Sequence, residues 1–249
     1  MELQAGERLD YLFFDKQLKI IQSEHLFSFS LDSLLLAAFV NVPVQKGKLI
    51  DLCSGNGAIP LMLSRRTKGQ IHGVELQQEL HEMAVRSVKL NGLEGKVHLI
   101  CDDLKVVPDR MGTECFDIVT CNPPYFTLSE EFKITENERV AAARHQVTTT
   151  LEDVVVTSAK LLKNGGKAAF VYPSDKFVEI TSLMRINQLE PKRILWVYPK
   201  EGKEANRVLI EGKKQAKPGV RVFPPLVVYN ENNEYTKGLR SFCDITSTL

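Results

Sequence analysis

The chain has 249 residues, 43% of them hydrophobic and 25% charged, with a formal net charge of +1. That length supports one sizeable α/β core, and the balanced charge excludes the global basic excess of a dedicated nucleic-acid binder, so any such surface must be local. Five cysteines (Cys53, Cys101, Cys115, Cys121 and Cys243) without a CxxC pair argue against a zinc site or a disulfide frame, and no metal is expected.

The N-terminus lacks the basic-then-apolar pattern of a signal peptide. The apolar run from Leu31 to Val44 contains Asp32, Ser33 and Asn41 and is too short to span a bilayer. No membrane partner is expected, and the simplest setting is the reducing cytoplasm. Tyr11–Phe14 and Leu18–Gln22 pattern as two short strands around Asp15-Lys16-Gln17, a hairpin. Phe27-Ser28-Phe29-Ser30 follows, and then a helix over Leu31–Val40, with Ser30 or Asp32 as its N-cap. Pro43 and Gly47 close this extension, which sets residues 1–47 apart from a main domain at 48–249.

From Lys48 onward strand and helix alternate. Strands are predicted at Leu49–Cys53, Gln70–Glu75, Val97–Cys101, Phe116–Cys121 and Lys167–Tyr172. Helices are predicted at Ala58–Arg66, Gln78–Leu90 and Leu151–Leu162, the last closed by Asn164-Gly165-Gly166. Such βα repetition implies a mostly parallel sheet covered on both faces. The polar stretch from Thr127 to Gln146 is one long loop, a length usually tied to function. After a helix at Lys176–Gln188, two strands at Arg193–Tyr198 and Arg207–Glu211 form an antiparallel hairpin, and Pro225–Tyr229 is a last apolar run.

The turn after the first of these parallel strands reads Asp51-Leu52-Cys53-Ser54-Gly55-Asn56-Gly57. Two glycines let a backbone approach a ligand, and the next helix offers unpaired N–H groups. A dinucleotide fingerprint needs a third glycine where Pro60 stands, which disfavours nicotinamide or flavin. Glu75 ends the second parallel strand, where a carboxylate can accept from two ribose hydroxyls. Asp102-Asp103 ends the third, where an acid or its backbone can read an adenine amino group. The set suits a nucleoside without a pyrophosphate.

The fourth parallel strand runs into Asn122-Pro123-Pro124-Tyr125. Pro123 restricts Asn122 to an extended backbone, and two prolines remove two N–H donors. The product is a stiff loop with bare carbonyls, a fixed amide and an aromatic ring, able to hold a flat molecule through an exocyclic amino group.

These residues resemble the class I S-adenosylmethionine-dependent methyltransferases. The resemblance implies a Rossmann-like fold with a mostly parallel seven-stranded sheet, an antiparallel C-terminal hairpin and a small N-terminal extension. It implies S-adenosyl-L-methionine as cofactor, held by Asp51, Cys53, Gly55 and Gly57, by Glu75 at the ribose, by Asp103 and Leu104 at the adenine, and by Asn122; Asp102 is the alternative to its neighbour. The Asn-Pro-Pro-Tyr motif is that of amino-group methyltransferases. It implies that Asn122, Pro123 and Tyr125 carry catalysis and that Pro124, Tyr125 and Arg144 meet the substrate.

Three further segments are similar to the bacterial tRNA(Val) adenine-N6 methyltransferases. They are Phe29–Ala37, Ala143-Arg144-His145 with Thr148–Leu151, and Glu204–Leu209. The lysine- and proline-rich stretch from Gly212 to Pro225 has no counterpart in that pattern. The implied reaction is methyl transfer to adenine N6 in tRNA next to the anticodon. A glutamine-N5 protein methyltransferase, a guanine-N2 rRNA methyltransferase and a non-catalytic RNA-binding protein are the alternatives. Late in the chain Lys192, Arg193, Lys200, Lys203, Arg207, Lys213, Lys214, Lys217 and Arg221 cluster with Trp196, Tyr198 and Phe223. They form either a local RNA surface or a solvated strand edge around a core tryptophan. Asp32 either caps its helix or reaches the site.

Overall fold

The computed structural model describes residues 3–12, 15–26, 29–123 and 149–244. The chain opens on an antiparallel hairpin, β1 (Glu7–Leu12) and β2 (Asp15–Ser23). Phe13 and Phe14, expected within the first strand, and Phe27 and Ser28, expected after the second, lie outside the described residues. Alternation along β2 gives it two apolar contacts. Leu18 and Ile20 join the larger core, and Ile21 packs with Leu80 and Met83. The short helix α1 (Leu31–Phe39) follows, with Leu34, Leu35, Leu36 and Phe39 fully buried. Each of those side chains contributes about 1.5–3 kcal/mol by leaving water.

The main sheet is built from β3 (Lys48–Leu52), β4 (Gln70–Glu75), β5 (Val97–Cys101), β6 (Phe116–Cys121), β7 (Leu162–Pro173), β8 (Leu189–Lys200), β9 (Arg207–Lys214), β10 (Arg221–Val222) and β11 (Leu226–Tyr229). Between them run α2 (Ala58–Ser64), α3 (Gln78–Leu90), α4 (Val107–Met111), α5 (Leu151–Leu161) and α6 (Phe177–Ile186), and α7 (Lys237–Phe242) follows β11. The spatial order is β5-β4-β3-β6-β7-β9-β8, with β10 and β11 both on the outer edge of β8. Only β9 runs antiparallel to its neighbours. Leu49 faces one apolar cluster while Ile50 and Leu52 face the other, so both sheet faces are covered.

The sheet has nine strands rather than the expected seven. The two extra strands come from the tail, which pairs with the open edge of β8. Pro224 and Pro225 cannot donate to a ladder, so this edge run breaks into two short pieces joined by the Phe223 N–H to the Ile194 carbonyl at 2.8 Å. A second difference lies at β7. The expected Asn164-Gly165-Gly166 stop to the helix is instead an irregularity within the strand, where the register against β6 jumps from Phe116↔Leu162 to Ile118↔Lys167.

α1 is clamped at both ends. Arg66 Nη1 donates to the carbonyls of Ala37 and Val40, and Arg193 Nη1 to that of Phe39 at 3.0 Å. At the other end Asp32 pairs with Arg207 of β9 at 2.9 Å. Ser30 occupies the N-cap without a side-chain cap bond, and Asp32 does not cap the helix either. Its carboxylate is used across the fold instead.

The late basic cluster is only partly a surface. Lys214 is buried, and its ammonium donates to Glu114 Oε1 at 3.0 Å and to the carbonyls of Ala159 and Leu162 at 2.8 Å each. Arg193 pairs with Glu211 and lies over the Phe39 and Phe223 rings. Lys203, Lys213, Lys217 and Arg221 are exposed. Trp196 packs against Phe177 at 4.9 Å between ring centroids and is half-buried.

Candidate active site

Because β3, β4, β5 and β6 are parallel neighbours, their carboxyl ends open on one edge of the sheet. Those ends and the turns that follow them carry Cys53, Glu75, Asp102 and Asn122. After β3 the backbone turns sharply, with Cys53 at φ 59, Gly55 at φ 55 and Gly57 at φ 87. Positive φ is cheap only for glycine, so Gly55 and Gly57 are required by the turn, and Cys53 is held there at some cost. A side chain on Gly57 would also press on Ala84 Cβ at 3.2 Å, whereas one on Gly55 would meet nothing within 4 Å. The turn therefore packs on α3 and leaves open space above Gly55.

Glu75 ties this turn to the end of β4. Its Oε2 accepts from the Gly55 N–H at 2.8 Å and its Oε1 from the Gln77 N–H at 2.9 Å. The residue is 6% exposed. Asp51, fully buried, accepts from the Thr120 hydroxyl at 2.6 Å through Oδ1, while Oδ2 has no hydrogen-bond partner among the described residues. Burial pushes its carboxyl well above the usual range; the Thr120 bond pulls it back, and the Glu75 charge pushes it further up. Ser54 Oγ is likewise buried and unpartnered among the described residues.

After β5, Asp102 pairs with Arg110 and accepts from the Asp103 N–H at 2.9 Å. Asp103 accepts from the Lys105 N–H at 2.9 Å, capping a 3-10 turn over Leu104–Val106, and Leu104 is buried beneath it. After β6, Pro123 is buried and Asn122 half-buried, its Nδ2 donating to the Ser33 hydroxyl of α1 at 3.2 Å. Cys121 is fully buried beside Cys53, and burial first, then the Cys53 contact, holds its thiol far above the ordinary range. Pro124, Tyr125, Arg144, the Thr127–Gln146 loop and the Ala143-Arg144-His145 segment with Thr148 lie outside the described residues.

Sequence reasoning missed three parts of this site. Ser33 reaches Asn122 across 89 positions of chain. Asn56 Nδ2 donates to the Ile21 carbonyl at 3.0 Å, fastening the glycine turn to the β1–β2 hairpin. Gly73 in β4 has no room for a side chain, since a Cβ would lie 2.6 Å from Leu99 Cδ2 and 3.1 Å from Ser54 Oγ. Of these only Gly73, a glycine inside a strand, carries a local signal of close packing.

A family model for the methyltransferase small domain matches residues 18–186. The chain belongs to that family. Its fold is the Rossmann-like class I methyltransferase fold, and its cofactor is S-adenosyl-L-methionine. Asp51 Oδ2 and Ser54 Oγ, which have no partner among the described residues, the open space over Gly55 and the carboxylate of Glu75 fit a ligand carrying both a cation and hydroxyl groups. A tRNA1(Val) (adenine(37)-N6)-methyltransferase of Haemophilus influenzae (strain PittEE) is 30% identical over 236 residues, covering 93% of this chain and 94% of that protein. One of the same name from Bacteroides fragilis (strain YCH46) is 24% identical over 213 residues, covering 85% and 88%. A solved structure described as a predicted O-methyltransferase from Agrobacterium tumefaciens superposes with a TM-score of 0.69 at 20% identity, over 88% of this chain and 98% of that one. That last likeness speaks to fold alone. Among the described residues no helix is long and apolar enough to cross a membrane, and no cluster of His, Cys, Asp or Glu could hold a metal ion.

Proposed function

We propose that this methyltransferase modifies the exocyclic N6 amino group of an adenine in tRNA, next to the anticodon. The reading is carried by the position of Asn122-Pro123 at the carboxyl end of β6, on the sheet edge that also bears the glycine turn and Glu75. It is supported by similarity over nearly the full length of relatives named for that reaction.

The chemistry follows from what an aromatic amine lacks. Its nitrogen lone pair is delocalised into the ring, and its N–H groups are donors. Asn122 Oδ1 and the Pro123 carbonyl accept those N–H groups, which fixes the nitrogen's direction and keeps electron density on it. Pro124 stiffens the loop, Tyr125 stacks on the base face for about 1–3 kcal/mol, and Arg144 meets a phosphate. Asp51, Cys53, Gly55 and Gly57 hold the methionine side of the cofactor, Glu75 its ribose, and Asp103 with Leu104 its adenine, with Asn122 closing the site. When bound, S-adenosyl-L-methionine would supply an electrophilic sulfonium methyl group, its C–S bond breaking to leave a neutral thioether, with the amino proton lost to water. No strong base is needed beforehand. A base held in a stem must first be flipped out. Residues 1–47 act as an extension that walls the acceptor side through α1.

Incubation with methyl-labelled cofactor and, separately, total tRNA, rRNA and a release factor tests the substrate. Label in tRNA adenine is expected. Label in the release factor would replace the reading with glutamine-N5 methylation, and label in rRNA guanine with guanine-N2 methylation.

A further inference from the structure

Whatever amine is methylated, Asn122 can serve it only with one end of its amide. The substrate's NH2 is a donor, so the carboxamide must present Oδ1 to it. A flip about the last side-chain bond would present Nδ2 instead, setting donor against donor. How steadily that oxygen is held depends on what the amide is tied to.

In this chain Ser33 is one such tie. Its hydroxyl accepts from Asn122 Nδ2 at 3.2 Å. Ser33 is 5% exposed, so the bond is screened from bulk water on the serine side. The serine sits in the first turn of α1, and that turn cannot drift. The Asp32–Arg207 pair at 2.9 Å anchors it to β9, and the far end of α1 is gripped by Arg66 and Arg193 through the Ala37, Val40 and Phe39 carbonyls. β9 is hydrogen-bonded to β7, which pairs in turn with β6, the strand that ends at Asn122. Ser33 and Asn122 therefore belong to one rigid frame built from opposite parts of the sequence.

We infer that Ser33 is a positioning residue for methyl transfer, tethering the Asn122 carboxamide to α1 so that it meets the acceptor amine in a fixed place. It touches neither the cofactor nor the substrate. The N-terminal extension thus contributes to the chemical step and not only to packing. This rests on the proposed role of Asn122.

The test compares Ser33→Ala, Ser33→Thr and Asn122→Ala for kcat, KM for tRNA, calorimetric cofactor Kd and thermal stability. Loss of one hydrogen bond predicts a kcat about three- to tenfold lower in Ser33→Ala. KM and cofactor Kd should stay within about twofold, and Ser33→Thr, which keeps the hydroxyl, should recover most of the rate. Wild-type kcat in Ser33→Ala alongside an inactive Asn122→Ala overturns the role of Ser33 and leaves that of Asn122 intact. An equal rate loss in Ser33→Thr, or a loss that only tracks melting temperature, also overturns it by making Ser33 a packing residue. Full activity in Asn122→Ala would instead overturn the underlying reading of Asn122.

Discussion

Glu75 braces the glycine turn and is proposed to hold the cofactor's ribose, and replacing it with glutamine separates the two roles. Each of its oxygens accepts one backbone N–H, from Gly55 at 2.8 Å and from Gln77 at 2.9 Å. A carboxylate has about four acceptor sites, more than those two backbone bonds use. Glutamine has one oxygen and an NH2, so one of the two N–H groups would face a donor. A hydrogen bond to a charged group is worth about 1.5–3 kcal/mol. Loss of one such bond to the backbone predicts a melting temperature lower by about 3–12 °C for a chain of this size. Loss of one to the ribose predicts a cofactor Kd about 10- to 150-fold higher. Calorimetry with S-adenosyl-L-methionine, run below the variant's melting temperature, reads the second effect apart from the first. A lower melting temperature with an unchanged Kd would refute the ribose role and leave Glu75 as a strut for the glycine turn.

Other perturbations test neighbouring parts of the account. Asn122→Ala should abolish transfer while leaving cofactor affinity within about twofold if its amide serves the acceptor as proposed; a large loss of affinity by calorimetry would contradict that division. Lys214→Met removes a buried ammonium with three internal acceptors and should cost about 3 kcal/mol of stability in denaturant unfolding, with tRNA affinity unchanged. Weaker tRNA binding at unchanged stability would return Lys214 to the RNA surface. His72, whose pKa is pushed down to about 4 by burial and by the nearby Lys48 and His98 charges, stays neutral in the fold while the unfolded chain takes up a proton. Its contribution is therefore complete above pH ~6.5 and is lost as pH falls toward 4. Full burial would make that about 3 kcal/mol; partial exposure and screening reduce it to about 1–2 kcal/mol. Urea titrations at pH 7 and pH 4 should show His72→Phe losing that much less than wild type, and equal losses would refute the assignment.

The parallel core was legible because its signals are local. A five- or six-residue apolar run, a glycine turn and an amphipathic helix each announce themselves within a short window, and β3 through β6 follow the expected positions. The tail was not, because β10 and β11 exist only by pairing with β8, and two prolines hide their continuity. Charge misled in the same way. Lys214 and Lys213 are adjacent in sequence, but alternation along β9 buries one and exposes the other. Asp32 reads as a helix cap because such residues usually are, and only the fold shows Arg207 beside it. At the site, the residues ending parallel strands could be named in advance, since topology alone brings strand ends together. Ser33 and Asn56 could not, because their partners, Asn122 and Ile21, lie in other elements.

The most direct test supplies the purified protein with methyl-labelled S-adenosyl-L-methionine and unmodified tRNA1(Val), digests the RNA to nucleosides and identifies the labelled one by mass. The account predicts N6-methyladenosine, absent when the adenine next to the anticodon is replaced by guanine. Label in another nucleoside, or persistence of N6-methyladenosine after that replacement, would contradict it.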